Sequence, residues 1–297
     1  MILAVASGKG GTGKTTVAVS LALALSEADP IYVDCDVEEP NAALFLRPEL
    51  TETREAIQLI PEVDADKCTA CGRCAEVCRY HAISVIGQEV LVFEQLCHGC
   101  GSCTLQCPVG AIREVPQVIG KLEQGHVDGI GFAQGELGIG EAMAPPVIRQ
   151  LKRWALPPDA RERTVILDAP PGTACPLVET LHGADVALLV TEPTPFGLHD
   201  LRATVDVARG ELGLPVAVVV NRADVGDEAV EDYCAATGIP ILMRIPLERA
   251  IAEGIAEGRT LVDIHPEYRE AFQKLYRDLV ALNATARTPH RNDEADI

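Results

Sequence analysis

The chain has 297 residues, enough for two average domains or for one large domain carrying an insertion. Hydrophobic residues make up 47% and charged residues 23%, which excludes wholesale disorder; aromatics are only 4%, so the core must be aliphatic. The 44 acidic against 25 basic side chains give a net charge of −19, which repels nucleic acid and anionic lipid and argues against either as a direct ligand.

No apolar run reaches the roughly 18 residues that a bilayer span requires. The N-terminus, MILAVASGKGG, lacks the basic region and cleavage site of a secretory signal, so a cytoplasmic location is expected. Of 11 cysteines, eight lie between Cys68 and Cys107. In a reducing compartment such clustering reads as metal ligation rather than disulfides.

In chain order, a short apolar run at Ile2–Ser7 ends in a Gly-rich turn. An Ala/Val/Leu-rich stretch from Lys14 to Leu25 predicts a helix, and a second short run, Ile31–Asp36, ends in carboxylates. This is the opening of a parallel α/β sheet. From Glu62 to Pro116 the composition shifts to Cys, Gly and short alternating segments. Apolar runs resume at Thr164–Ala169, Val186–Thr191, Val216–Asn221 and Ile241–Ile245, and Glu267–Asn283 reads as a helix. Near-continuous apolar runs mark strands buried on both faces. The expected fold is therefore α/β, a mostly parallel doubly wound sheet over 1–61 and 117–297, interrupted by a small α+β domain at 62–116. The polar tail Thr288–Ile297 is expected to fray.

The inserted segment contains a repeat. KCTACGRCAEVCRYHAISVI and LCHGCGSCTLQCPVGAIREV align without gaps at an offset of 29 residues, each giving a Cys loop, a short helix and a strand. Two such halves predict a pseudo-twofold unit.

Gly8-Lys9-Gly10-Gly11-Thr12-Gly13-Lys14-Thr15-Thr16 contains the phosphate-loop pattern between a strand and a helix. Its glycines let backbone N–H groups surround phosphate oxygens, and the helix N-terminus adds partial positive charge. Lys14 is expected to reach the β and γ phosphates of ATP, and the Thr15 hydroxyl to ligate Mg²⁺. The second lysine, Lys9, makes the loop resemble the deviant Walker A loop of the MinD/ParA family, which includes the nitrogenase iron protein and the Mrp-type cluster carriers. That resemblance implies an ATPase that closes as a nucleotide-sandwich homodimer, with Lys9 acting on the partner subunit's nucleotide. It also implies that Asp36 positions the attacking water, that Asp168 in VILDAPPG holds Mg²⁺ through water, and that the Gly172 N–H meets the γ-phosphate. Asn221 would read the adenine edge, with Pro246 beside the base. Asp34 alone is weak evidence, because a strand-end Asp is often a helix cap.

The runs Cys68-x2-Cys71-x2-Cys74-x3-Cys78 and Cys97-x2-Cys100-x2-Cys103-x3-Cys107-Pro108 are those of two-cluster bacterial ferredoxins, in which the fourth Cys of each run serves the other cluster. One [4Fe–4S] cluster is then assigned to Cys68, Cys71, Cys74 and Cys107, the other to Cys97, Cys100, Cys103 and Cys78. Two zinc sites are the competing use of such thiolates. Arg79 stands where the motif has Pro. His98 reads as a solvated loop residue, and Cys35 and Cys234 as packing thiols. Cys175 falls where the nitrogenase iron protein carries an intersubunit cluster ligand, but Glu141 follows Gly138-Ile139-Gly140 where its other ligand would stand.

Three functions follow from these motifs. The first is an ATPase that couples nucleotide state to electron transfer from the clusters to a redox partner. The second is an ATP-dependent carrier that hands clusters to an acceptor protein. The third is a positional regulator like MinD, against which the lack of a basic amphipathic terminal helix argues.

Overall fold

A computed structural model describes residues 1–287; the tail from Thr288 lies outside them. Nine strands form one sheet: β1 (Ile2–Ala6), β2 (Ile31–Asp34), β3 (Glu49–Val63), β6 (Ile112–Val127), β7 (Ile130–Leu137), β8 (Val165–Asp168), β9 (Val186–Thr191), β10 (Val216–Asn221) and β11 (Ile241–Ile245). Two more, β4 (Ile83–Ile86) and β5 (Glu89–Val92), pair only with each other. The sheet order is β11-β10-β9-β1-β8-β2-β7-β6-β3. All pairings from β11 to β7 are parallel; β6 and β3 continue the sheet antiparallel.

Alternation along the strands feeds two cores. Ile2, Ala4 and Ala6 of β1 point to one face, with Val165 and Leu167; Leu3 and Val5 point to the other, with Ile166 and Tyr32. The first core includes Ile148 and Leu151 of the helix Pro145–Ala155 and Leu177 and Leu181 of the helix Cys175–Leu181. The second includes the inner side of the helix Lys14–Ala24 and, from the C-terminal helix Tyr268–Arg287, Phe272, Leu275 and Leu279. Both helices lie within a residue or a few of their sequence expectations. Among the described residues no helix is long and apolar enough to cross a membrane.

The sequence reading did not find β3, the full length of β6, or β7. Residues 49–55 are exposed on both faces, so TETRE carries no one-sided apolar pattern. Long-range pairing makes these strands: β3 and β6 match from Glu49↔His126 to Val63↔Ile112. Residues 61 and 117, the expected domain limits, fall inside this ladder, and the Cys-rich segment hangs from its far end. Because β3 runs parallel to β2 and β7, that end projects past the carboxyl edge of the sheet. Asp34 is level with Gln134, Glu123 and Thr53 in turn. Leu59 and Val63 therefore lie about 20 and about 33 Å beyond the level of Asp34, along the strand.

The repeat is a true pseudo-twofold. Adding or subtracting 29 residues converts the Val63↔Ile112 pair into Val92↔Ile83, and Ile60↔Val115 into Glu89↔Ile86. The bond from Asp64 N–H to Ala111 O, 2.8 Å, becomes the bond from Phe93 N–H to Ala82 O, also 2.8 Å. The base of the arm is held by the helix Pro145–Ala155. Gln150 accepts the Ile57 N–H at 3.0 Å, and Arg54 lies 4.7 Å over the Trp154 ring.

Since Val63 and Ile112 are already paired, the sheet is expected to form without the segment between them. Replacing residues 64–111 by Asn-Gly, a two-residue hairpin turn, should leave the far-UV spectrum of the sheet and helices in place and Tm within a few degrees. Loss of cooperative unfolding would show that the Cys-rich segment and the sheet form one inseparable core.

Candidate functional site

The phosphate loop follows β1 at the carboxyl edge and lines the main cavity, about 380 Å³ in volume. Lys9 to Thr16 form its floor, with Asp36, Asn41, Phe45, Pro171, Asn221, Arg222 and Pro246 among the walls. Gly8 lines a neighbouring crevice instead; a Cβ there would sit 2.5 Å from Asp200 O. Gly13 has φ +92°, and a Cβ would come within 2.4 Å of the Asn221 amide nitrogen. That amide donates to Thr12 O at 2.7 Å. Asn221 thus holds the loop while also lining the cavity.

Lys14 and Asp168 form a buried ion pair, Nζ to Oδ1 2.5 Å. Lys14 Nζ also lies 3.2 Å from Thr15 Oγ1. Burial alone would depress the Lys14 pKa; the fields of Asp168, Asp34 and Asp36 outweigh it and hold it raised. The other oxygen of Asp168 accepts from the Tyr32 hydroxyl at 2.8 Å. Asp168 is therefore fully enclosed and forms no part of the cavity wall. Gly172, too, is not at the cavity: its N–H donates to Ser7 O at 3.0 Å. In this state neither residue is free for the role the family resemblance gives it.

Asp34 organises the loop after β2. Its carboxylate accepts the N–H groups of Asp36, Asn41 and Ala42 at 3.0–3.1 Å. Burial, reinforced by Asp168, pushes the Asp34 pKa up to about 7, and burial raises Asp36 to about 6. Lys9 turns back onto its own chain, 3.2 Å from Glu192, which also binds Arg222. Sequence reasoning missed Tyr32, Glu192 and Phe45. The only available signal was Tyr32, a bulky polar ring within an otherwise aliphatic strand.

The eight clustered cysteines gather in two groups of four. Cys68, Cys71, Cys74 and Cys107 line one cavity, with Val63 and Ile112. Cys78, Cys97, Cys100 and Cys103 line the other, nearer the sheet, with Leu59, Pro61 and Glu114. Each group draws three thiols from one run and one from the other. Backbone N–H groups of Ala70, Ala82, Gly99 and Ala111 point at the sulfurs of Cys68, Cys78, Cys97 and Cys107, at 3.3–3.4 Å. Among the described residues no three His, Cys, Asp or Glu side chains are grouped so as to hold a single metal ion. His98 is an exposed loop residue, as expected, and its ring stacks on Tyr80. Cys35 and Cys234 are buried as expected, Cys35 with its pKa pushed up by burial to about 12, and Cys175 is exposed at the start of its helix.

A family model described as the CobQ/CobB/MinD/ParA nucleotide binding domain matches residues 3–262. The chain belongs to this family. Two uncharacterized proteins of Methanocaldococcus jannaschii resemble it over nearly their whole lengths. One is 30% identical over 264 residues, 88% of this chain and 91% of its own. The other is 31% identical over 281 residues, 94% and 96%. Among solved structures, the MinD of Pyrococcus horikoshii complexed with Mg-ADP has a TM-score of 0.57 at 20% identity, covering 97% of this chain and 98% of that one. The cell division ATPase MinD of Pyrococcus furiosus gives 0.56 at 22%, covering 95% and 98%. The sheet is thus a mostly parallel MinD/ParA-type P-loop sheet, with the cavity described above at its phosphate loop.

Two outcomes follow for this MinD/ParA-type site. Lys14→Ala strands a buried carboxylate, so unfolding free energy without nucleotide should fall by about 3–5 kcal/mol in a urea titration; a loss below about 1 kcal/mol would mean that the pair is not formed in solution. Asp34, with a folded pKa near 7 against 3.8 unfolded, favours the native state when protonated. Its contribution is full below pH 4 and is lost as pH rises to about 7. Wild type should therefore lose stability relative to Asp34→Asn across that window, and a difference that is flat or opposite in sign would refute the shift.

Proposed function

We propose that this protein is an ATP-hydrolysing redox carrier in which nucleotide state controls electron delivery from two [4Fe–4S] clusters to a partner protein. The observation that carries the reading is the sorting of eight cysteines into two crossed groups of four, on an arm that rises from the nucleotide edge of the sheet. The donor set fits such clusters. Each cavity offers four thiols and two N–H donors to sulfur, and hydrogen bonds to the sulfurs tune such centres. A single Zn²⁺ with Zn–S bonds near 2.3 Å would draw its thiolates to about 3.8 Å of one another, and the cysteines are not grouped for that. When bound, the clusters would supply one-electron storage.

The nucleotide chemistry is assigned to the chain's own residues. Phosphate arriving in the loop competes for Lys14. With Lys14 drawn away, Asp168 and the Thr15 hydroxyl would hold Mg²⁺, which would offset negative charge on the phosphates. Asp36, at the cavity wall, orients the attacking water. The Gly172 N–H leaves Ser7 O for the γ-phosphate, and Lys9 leaves Glu192 to reach the nucleotide of a second copy. The fold supports this assignment, since a solved protein of the same fold is complexed with Mg-ADP.

The coupling route is short. The loop carrying Asp36 runs through the helix Ala42–Leu46 directly into β3. Val37 O also accepts the Leu137 N–H at 2.7 Å, tying the same loop to the end of β7. Ordering of this loop by γ-phosphate contacts would therefore act on the root of the arm.

Anaerobically purified protein should contain about eight iron and eight inorganic sulfide per chain. Stoichiometric zinc without sulfide would rule out this reading. The functional test is a redox titration without nucleotide, with ADP and with a non-hydrolysable ATP analogue. A shift of about 59 mV, roughly 1.4 kcal/mol for one electron, is expected on ATP-analogue binding. Asp36→Asn should show the shift and hydrolyse poorly, whereas Lys9→Ala should bind ATP without dimerising. Identical potentials in all nucleotide states would replace gated electron transfer by the cluster-carrier function.

A further inference from the structure

The two four-cysteine cavities are related by the 29-residue repeat, so their walls can be compared position by position. Most of the comparison shows symmetry. The pairs Ala70 and Gly99, Gly72 and Gly101, and His81 and Gly110 all have positive φ at equivalent positions. The sulfur-directed N–H groups also match, at 3.4 Å for Cys68 and Cys97 and 3.3 Å for Cys78 and Cys107.

Side chains differ at several equivalent positions, Arg73 against Ser102 and Val85 against Glu114 among them, but at two positions only the inner site carries a ring. His98 follows Cys97, and Tyr80 lies two residues after Cys78; both line the cavity nearer the sheet. Their rings stack with centroids 3.5 Å apart and planes within 10°. The equivalent residues of the outer cavity are Thr69 and Val109, which line it without any ring. One thiol pair differs in the same sense, Cys97 being buried and its counterpart Cys68 half-buried, while the other three pairs are alike in burial. On the opposite side the inner cavity is backed by β3. Gln58 donates to Cys97 O at 2.5 Å, and a Cβ on Gly99 would meet Leu59 O at 3.0 Å. The outer cavity is backed by Val90 of β5, the counterpart of Pro61, so the backing strands do not distinguish the two sites.

We infer that the Tyr80–His98 stack is a lid that shields the inner four-cysteine site from solvent and makes the two sites inequivalent in exchange with solution. This rests on the iron–sulfur reading for what the sites hold, but the lid itself is a property of the chain. Solvent exposure is one of the levers on the reduction potential of such clusters. A lid on one site alone therefore gives the pair of sites a direction, with a protected centre beside the nucleotide domain and an open one at the tip. Tyr80 and His98 are positioning residues in this scheme and ligate nothing.

An aromatic pair of ordinary strength limits the protection to roughly 2- to 13-fold, the factor by which it disfavours the open state. In anaerobic holoprotein, iron release to a ferrous chelator should be biphasic, with two equal amplitudes and rates differing within that range. The double variant Tyr80→Val/His98→Thr gives the inner site the outer site's side chains at the two ring positions and should bring the two phases together. The reciprocal Thr69→His/Val109→Tyr should slow the fast phase. Iron and sulfide content and far-UV spectra establish that each variant is folded and loaded. A single phase in wild type, or both phases at unchanged rates in the first double variant, overturns the lid. In metal-free reduced protein, alkylation by iodoacetamide read by mass spectrometry should be 2- to 13-fold slower at Cys97 than at Cys68, and the first double variant should remove that difference. Absence of iron and sulfide would therefore defeat the iron–sulfur reading while this second measurement still decides the lid.

Discussion

The contact between Lys14 and Asp168 organises the carboxyl edge of this sheet. It joins the loop after β1 to the end of β8, and Tyr32 of β2 completes the grip on the second carboxylate oxygen. Three neighbouring strands are thereby tied at the level where phosphate must bind. A carboxylate so deeply buried is tolerable only when paired. The chain here supplies its own counter-charge, and on the proposed function a phosphate ligand would compete with that internal ion pair. The same holds in milder form for Lys9 on Glu192 and for the Gly172 N–H on Ser7 O.

Around this edge the electrostatics are strained in one direction. Asp34, Asp36 and Asp168 converge with one lysine among them, and two of these carboxyls have raised pKa values because burial disfavours their charge. A divalent cation and the nucleotide that carries it would relieve that crowding. Asp34 spends its carboxylate on three backbone N–H groups of the loop that leads into β3, so the charge state of the site and the path of the arm are linked through the same few residues.

Two edge strands continue the ladder outward, and the Cys-rich unit closes them with an internal copy of their own pairing. Its small apolar clusters, Cys74, Ile83, Cys103 and Ile112 in one and Ile60, Ala82 and Cys97 in the other, are too few to stabilise it alone.

Much of this was legible in the residues. The phosphate loop, the strand-end carboxylates, the buried parallel strands and the crossed cysteine spacing are local patterns, because each depends on backbone geometry within a few residues or on alternation along one element. The sequence therefore determined the mostly parallel α/β fold, the place of the phosphate loop and the internal repeat of the Cys-rich segment. Only the tertiary structure decided that Lys14 is held by Asp168, that Lys9 lies in cis on Glu192, and that Gly172 is engaged by Ser7, since these contacts join segments far apart in the chain. It also decided that TETRE and its partner are strands: residues exposed on both faces carry no periodic signal, and only the matched register of β3 with β6 makes them a ladder. The Tyr80–His98 stack belongs with these. Neither ring has a neighbour within its own run, and they meet because the twofold brings the end of one cysteine run over the start of the other.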